Sequence, residues 1–131
     1  MIEVIVIVGL PGSGKTQLAL SMVDEETTFI DDLSRDPFRM ELYMRSQTRR
    51  LIITDPVTAR PVHIKQRLAS WFGDIKHTVE IIAFTNDPDQ AFANLTGRGD
   101  DRKITWDFVK RMSMQYMPDQ YDRVVPVYVP Q

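Results

Sequence analysis

At 131 residues with 43% hydrophobic side chains, the chain is long enough to bury one core without disulfide or metal staples. It contains no cysteine, which excludes thiol catalysis, disulfide frameworks and cysteine-ligated zinc and is compatible with a reducing cytoplasm. A formal net charge of -2 argues against indiscriminate coating of nucleic acid, although local basic stripes can form on a nearly neutral protein.

The first element, Ile2 to Val8, is an apolar run rich in β-branched residues, the pattern of a strand buried on both faces of a parallel sheet. It has no basic leader and is too short to span a bilayer, so neither a signal peptide nor a membrane anchor is expected and the protein should be soluble and cytoplasmic. "GLPGSGKT" follows and fits G-x-x-x-x-G-K-[ST] through Gly9, Gly14, Lys15 and Thr16. Lys15 to Val23 then places Leu18, Leu20, Met22 and Val23 at roughly helical spacing, so this loop joins a strand to a helix. In that setting inward-turned backbone N–H groups and the positive end of the helix make a concave anion site, with glycine where a side chain would block the backbone. Lys15 adds a mobile charge for the outer phosphates of a nucleoside triphosphate, and the Thr16 hydroxyl is a candidate ligand for Mg²⁺ bridging them. The rival dinucleotide fingerprint fails, because Gln17 stands where its third small residue belongs.

A short strand is expected over Thr27 to Ile30, ending at Asp31-Asp32. Pro37 suits the first turn of a helix carrying Phe38 and Leu42 on one side. "LIITD" reads as a buried strand ending in Asp55. From about Pro61 to Phe72 a helix places Ile64, Leu68, Trp71 and Phe72 on one face, with Gly73 as its stop. "VEIIAF" is the fourth strand. Asp87, Pro88 and Gln90 read as N-cap, first-turn proline and capping-box partner of a helix to about Leu95. After the basic loop "TGRGDDRK", Thr105 caps a last helix in which Phe108, Met112 and Tyr116 line up, and Pro118 ends it. "RVVPVYV" supplies a fifth strand, with Pro126 pointing to a sheet edge. No repeat or linker divides the chain, so residues 1–131 are expected to form one domain. The alternation of strands and helices predicts an α/β fold, a three-layer α/β/α sandwich around a five-stranded parallel sheet with a short arginine-bearing lid. Ligands of such sheets bind beyond the carboxyl ends of the strands, where Gly9 to Thr16, Asp31-Asp32 and Asp55 all fall.

Phosphoryl transfer to an alcohol needs a group to orient the hydroxyl and take its proton, and a positive group to meet charge on the moving phosphoryl. Asp32 is the candidate for the first task, with Arg35 placed to grip an acceptor phosphate; equally, Asp31 and Asp32 fit a plain turn or cap. Asp55 is a candidate acceptor-side or metal-side carboxylate within what is also an ordinary turn sequence. Arg98, flanked by Gly97 and Gly99, is the candidate for the second task, with Arg102 and Lys103 assisting; the alternative is a solvated loop in which these charges pair with Asp100 and Asp101. The five arginines from Arg35 to Arg50 form either a track for a phosphodiester backbone or an exposed helical face. His63 and His77 have no neighbours at metal-ligand spacing.

"GLPGSGKT", the "DLSR" step, "LIITDP" and "FTNDPDQAFANLTGRGDDRKI", in that order, make the chain resemble the kinase domain of phage polynucleotide 5′-hydroxyl kinase and the related AAA-like and zeta-toxin-type P-loop kinases over nearly its whole length. The resemblance implies an ATP- and Mg²⁺-dependent phosphotransferase moving the γ-phosphoryl group to a hydroxyl, such as the 5′ end of a polynucleotide or a nucleotide. It would make Lys15, Asp32 and Arg98 catalytic, Asp32 being the general base. Gly9, Pro11, Gly12, Ser13, Gly14, Lys15, Thr16, Gln17 and Arg102 would bind the nucleotide, Thr16 the metal, and Arg35 and Asp55 the acceptor. A small-molecule or nucleoside kinase, or a nucleotide-binding switch with weak NTPase activity, are the alternatives. An appended phosphatase domain is not expected.

Overall fold

The computed structural model describes residues 1–31, 49–56, 61–97 and 104–130. Five strands, β1 (Ile2–Gly9), β2 (Thr27–Asp31), β3 (Arg50–Pro56), β4 (His77–Phe84) and β5 (Arg123–Val125), form one parallel sheet in the order β2-β3-β1-β4-β5. The helices among the described residues are α1 (Lys15–Ser21), α2 (Pro61–Phe72), α3 (Pro88–Gly97) and α4 (Trp106–Gln115), followed by a 3-10 turn over Pro118–Gln120.

The β1 run is apolar on both faces because both faces are covered. Val4, Val6 and Val8 are fully buried and cluster with Leu51 and Ile53 of β3, Ile81 and Ala83 of β4, and Ile64, Leu68 and Phe72 of α2. Ala91 and Leu95 of α3 and Val109 of α4 complete that side. Ile5 and Ile7 turn the opposite way, into a smaller cluster with Ile52, Ile82, Phe84, Ala19 of α1 and Val127. Each fully buried branched side chain contributes roughly 1.5–3 kcal/mol against the entropy of ordering the chain. The three-layer arrangement therefore follows from two-sided burial of β1, β3 and β4.

Element ends have local causes. Asp24 turns the chain out of α1 into β2, its Oδ1 accepting from the Glu26 N–H at 2.9 Å and the Thr27 hydroxyl at 2.6 Å. These two bonds hold its carboxyl below the usual range. Gly73 ends α2 at φ 54°, its N–H donating to Ala69 O at 3.0 Å. Thr105 caps α4 as expected, accepting from Phe108 N at 3.2 Å.

Four expectations need correction. Helix α1 stops at Ser21, and Leu20 and Val23 are exposed while Ala19 is the buried residue. Asp87 does cap α3, accepting from Gln90 N at 3.1 Å, but Gln90 makes no capping box: its amide donates to Asn94 Oδ1 at 2.9 Å. In α4, Val109 is buried and Phe108 is 47% exposed, so the inward stripe runs through Val109, Met112 and Tyr116. Finally, β5 ends at Val125, because Pro126 has no N–H to continue the ladder. The expected edge position holds, since among the described residues β5 pairs with β4 alone.

Candidate phosphate-binding site

Strand β1 lies between β3 and β4, and its last pairs are Val8 with Asp55 and Gly9 with Pro56. The chain leaves β1 through α1 toward β2 on one side of the sheet and leaves β3 through α2 toward β4 on the other. The carboxyl ends of β1 and β3 thus flank the point where strand order reverses, the place where α/β sheets open a crevice. The segment Gly9 to Thr16 spans that crevice and leads straight into α1.

Its path is set by tight local geometry. Ser13 N donates to Leu10 O at 3.1 Å, closing a turn. Gly12 adopts φ 87° and Gly14 φ 107°, conformations that L side chains rarely take. Packing forbids a side chain as well. A Cβ on Gly12 would sit 2.1 Å from Ala91 O, and one on Gly14 would sit 2.7 Å from Tyr128 Cβ. The glycines serve here as points of close approach, one to α3 and one to the segment after β5.

Lys15 Nζ folds back over the loop, donating to Gly9 O at 2.8 Å and Leu10 O at 3.3 Å. A phosphate arriving at the mouth of the loop thus meets an ammonium already in place, and a charge-assisted hydrogen bond to it is stronger than one to a neutral carbonyl. The N–H groups of Thr16 and Gln17, in the first turn of α1, have no acceptor one turn back within the helix. Ser13 Oγ is fully buried and has no hydrogen-bond partner among the described residues. A concave turn, an ammonium over it, unspent helix donors and an orphaned hydroxyl together form a donor-rich concavity that fits an anion and has no carboxylate of its own among Gly9 to Gln17.

A cavity of about 290 Å³ adjoins the loop. Gly12, Gly14 and Gln17 line it on the loop side, Ala93, Asn94 and Gly97 from α3, and Tyr128 and Pro130 from the segment after β5. Its volume is near the lower bound of small-molecule sites.

The structure thus brings Gly9, Pro11, Gly12, Ser13, Gly14, Lys15, Thr16 and Gln17 together in one loop and helix start, with Thr16 and Gln17 exposed. Asp55 reaches the same edge of the sheet through its backbone, beside Val8. Asp32, Arg35, Arg98, Arg102 and Lys103 lie outside the described residues, as do the expected helix after Pro37 and the arginine lid. Among the described residues no cluster of three acidic, histidine or cysteine side chains could hold a metal, and no helix is long and apolar enough to cross a membrane. Asn94, Tyr128 and Pro130 carry no motif, and sequence reasoning missed them. The one signal was a buried-face position of α3 occupied by an amide.

No protein-family model matches the chain. It is 29% identical over 118 residues to an uncharacterised protein of Acanthamoeba polyphaga mimivirus, a match covering 87% of this chain and 86% of that one. Among solved structures it resembles a mouse sulfotransferase complexed with PAP, with a TM-score of 0.54 and 18% identity over 95% of this chain and 52% of the neighbour. The chain therefore spans about half the length of that structure. At this identity the likeness shows the fold: a P-loop-type α/β architecture.

Proposed function

We propose that the chain binds ATP with Mg²⁺ on the Gly9–Thr16 loop and transfers the γ-phosphoryl group to a hydroxyl, the 5′-hydroxyl of a polynucleotide or nucleotide being the leading acceptor. The observation that carries this reading is Lys15 Nζ poised over a glycine-shaped loop at the carboxyl end of the central strand. The adjoining cavity suits the nucleoside end of the donor, and the fold neighbour was solved with a nucleotide, PAP. Mg²⁺ would supply charge neutralisation across the phosphates, with the Thr16 hydroxyl as its protein ligand. Lys15 would balance the outer phosphates, Asp32 orient the acceptor hydroxyl and take its proton, and Arg35 and Asp55 hold the acceptor. Arg98, with Arg102, would meet charge on the transferring group. Residues 1–131 would act as one domain.

Incubation with γ-labelled ATP and a panel of 5′-hydroxyl DNA, RNA, nucleosides and small alcohols tests the proposal by where the label goes. Label on a 5′ end supports it, label on a small alcohol or nucleoside selects the narrower kinase, and label found only as free phosphate sinks the acceptor assignment and leaves a nucleotide switch. Asp32→Asn is expected to lower transfer at least ~100-fold with nucleotide affinity nearly unchanged.

A further inference from the structure

The phosphate loop is held from behind by a residue far away in sequence. Asn94 lies on the inner side of α3, only 6% exposed among apolar neighbours such as Ala91 and Leu95. Its Nδ2 donates to Gly12 O at 2.8 Å and to Tyr128 O at 2.7 Å, while its Oδ1 accepts from Gln90 Nε2 at 2.9 Å. Two carbonyl partners leave no choice of amide orientation: the NH₂ group must face them. Tyr128 N in turn donates to Ser13 O at 3.0 Å. The loop, α3 and the segment after β5 are thereby joined in a closed circuit of hydrogen bonds.

That circuit sets the direction of the loop's donors. In a trans peptide the C=O and the following N–H point opposite ways. Fixing Gly12 O on Asn94 turns the Ser13 N–H the other way, where it donates to Leu10 O. Fixing Ser13 O on Tyr128 turns the Gly14 N–H away from the segment after β5. We infer that Asn94 is a positioning residue for anion binding: through Gly12 and Tyr128 it holds two successive peptide planes of the loop, the first keeping the Ser13 N–H in the turn closed on Leu10 O and the second leaving the Gly14 N–H to face a phosphate chain. The inference rests on the proposed nucleotide site and extends it to a residue that touches no phosphate.

The test compares wild type with three variants. Asn94→Asp keeps the shape, removes both donors and adds a charge. Asn94→Leu removes both donors without a charge and is expected to weaken both ligands alike, its wild-type affinity overturning the inference. Tyr128→Pro removes the N–H given to Ser13. Affinity for Mg-ATP and for Mg-tripolyphosphate, which has no nucleoside, is measured by calorimetry at a temperature where every variant is folded. Asn94→Asp is expected to weaken both ligands at least tenfold. Tyr128→Pro should weaken tripolyphosphate comparably, and the double variant should lose no more than about twofold beyond the worse single one. Tyr116→Phe, which destabilises α4 outside the circuit, should leave both affinities unchanged. Wild-type affinity in folded Asn94→Asp, or fully additive losses, overturns the inference. If wild type binds neither ligand, the nucleotide reading fails by itself. The tie is then judged by amide exchange of the ligand-free chain: exchange of the Ser13 N–H at least tenfold faster in Asn94→Asp upholds it, and an unchanged rate removes it.

Discussion

Gly12 shows how much one residue carries. Its positive φ and the 2.1 Å that would separate an added Cβ from Ala91 O are independent demands, one on the backbone and one on packing, and both exclude a methyl group. Gly12→Ala is therefore expected to cost about 2–4 kcal/mol, combining left-handed strain with overpacking, and to move the loop off α3. Chemical denaturation measures the first effect. Lost affinity for Mg-ATP measures the second, and a variant as stable as wild type would mean the loop relaxes without strain. This glycine was legible in the sequence because its motif is local. Asn94 was not, since its partners Gly12 and Tyr128 lie 82 and 34 residues away and no local pattern joins them.

Helix α4 is tied at its carboxyl end by side chains from other elements. Asn86 Nδ2 donates to Ser113 O at 2.7 Å and Tyr116 O at 3.1 Å, and the Tyr116 hydroxyl donates to Phe84 O at the end of β4. Burial, with a smaller contribution from nearby Tyr121, pushes ionisation of the Tyr116 phenol above its ordinary range. A raised pKa in the folded state means the neutral phenol stabilises the fold. The contribution is complete below the unfolded value of about 10 and is lost as pH rises beyond it. Tyr116→Phe is expected to cost about 1–3 kcal/mol, because it leaves Phe84 O without this donor, and to remove the loss of stability expected above pH 10. Thermal melts of both proteins across pH 8–11 check the sign. The cap at Thr105 was readable from sequence, but the face of the helix was not. Phe108 is as apolar as Val109, and only the position of α4 on the sheet decides which of them is covered.

For the whole molecule, the continuous apolar runs of β1, β3 and β4 fit a sheet buried on both sides, and all 131 residues are expected to unfold in one transition seen alike by far-UV circular dichroism and tryptophan fluorescence. Two separated transitions would divide the chain into independent units. If the phosphate loop binds Mg-ATP, ligand at a hundredfold excess over Kd should raise the unfolding free energy by about 2.7 kcal/mol, roughly 8–10 °C in midpoint for a chain of this size. Lys15→Ala should abolish most of that shift, and an unshifted wild-type midpoint at millimolar ligand argues against the site.

The sequence alone determined the strand and helix alternation, the glycine and lysine loop between β1 and α1, and the caps at Asp87 and Thr105. Each of these depends on residues within a few positions of one another, so propensity, periodicity and turn chemistry suffice to reveal it. Only the tertiary structure decided the order of the strands, the path of the segment after β5 toward the loop, and the use of Asn94 and Tyr128 to hold the loop's carbonyls. Those depend on contacts between segments far apart in the chain, whose partners are selected by burial and by the need to satisfy buried polar groups.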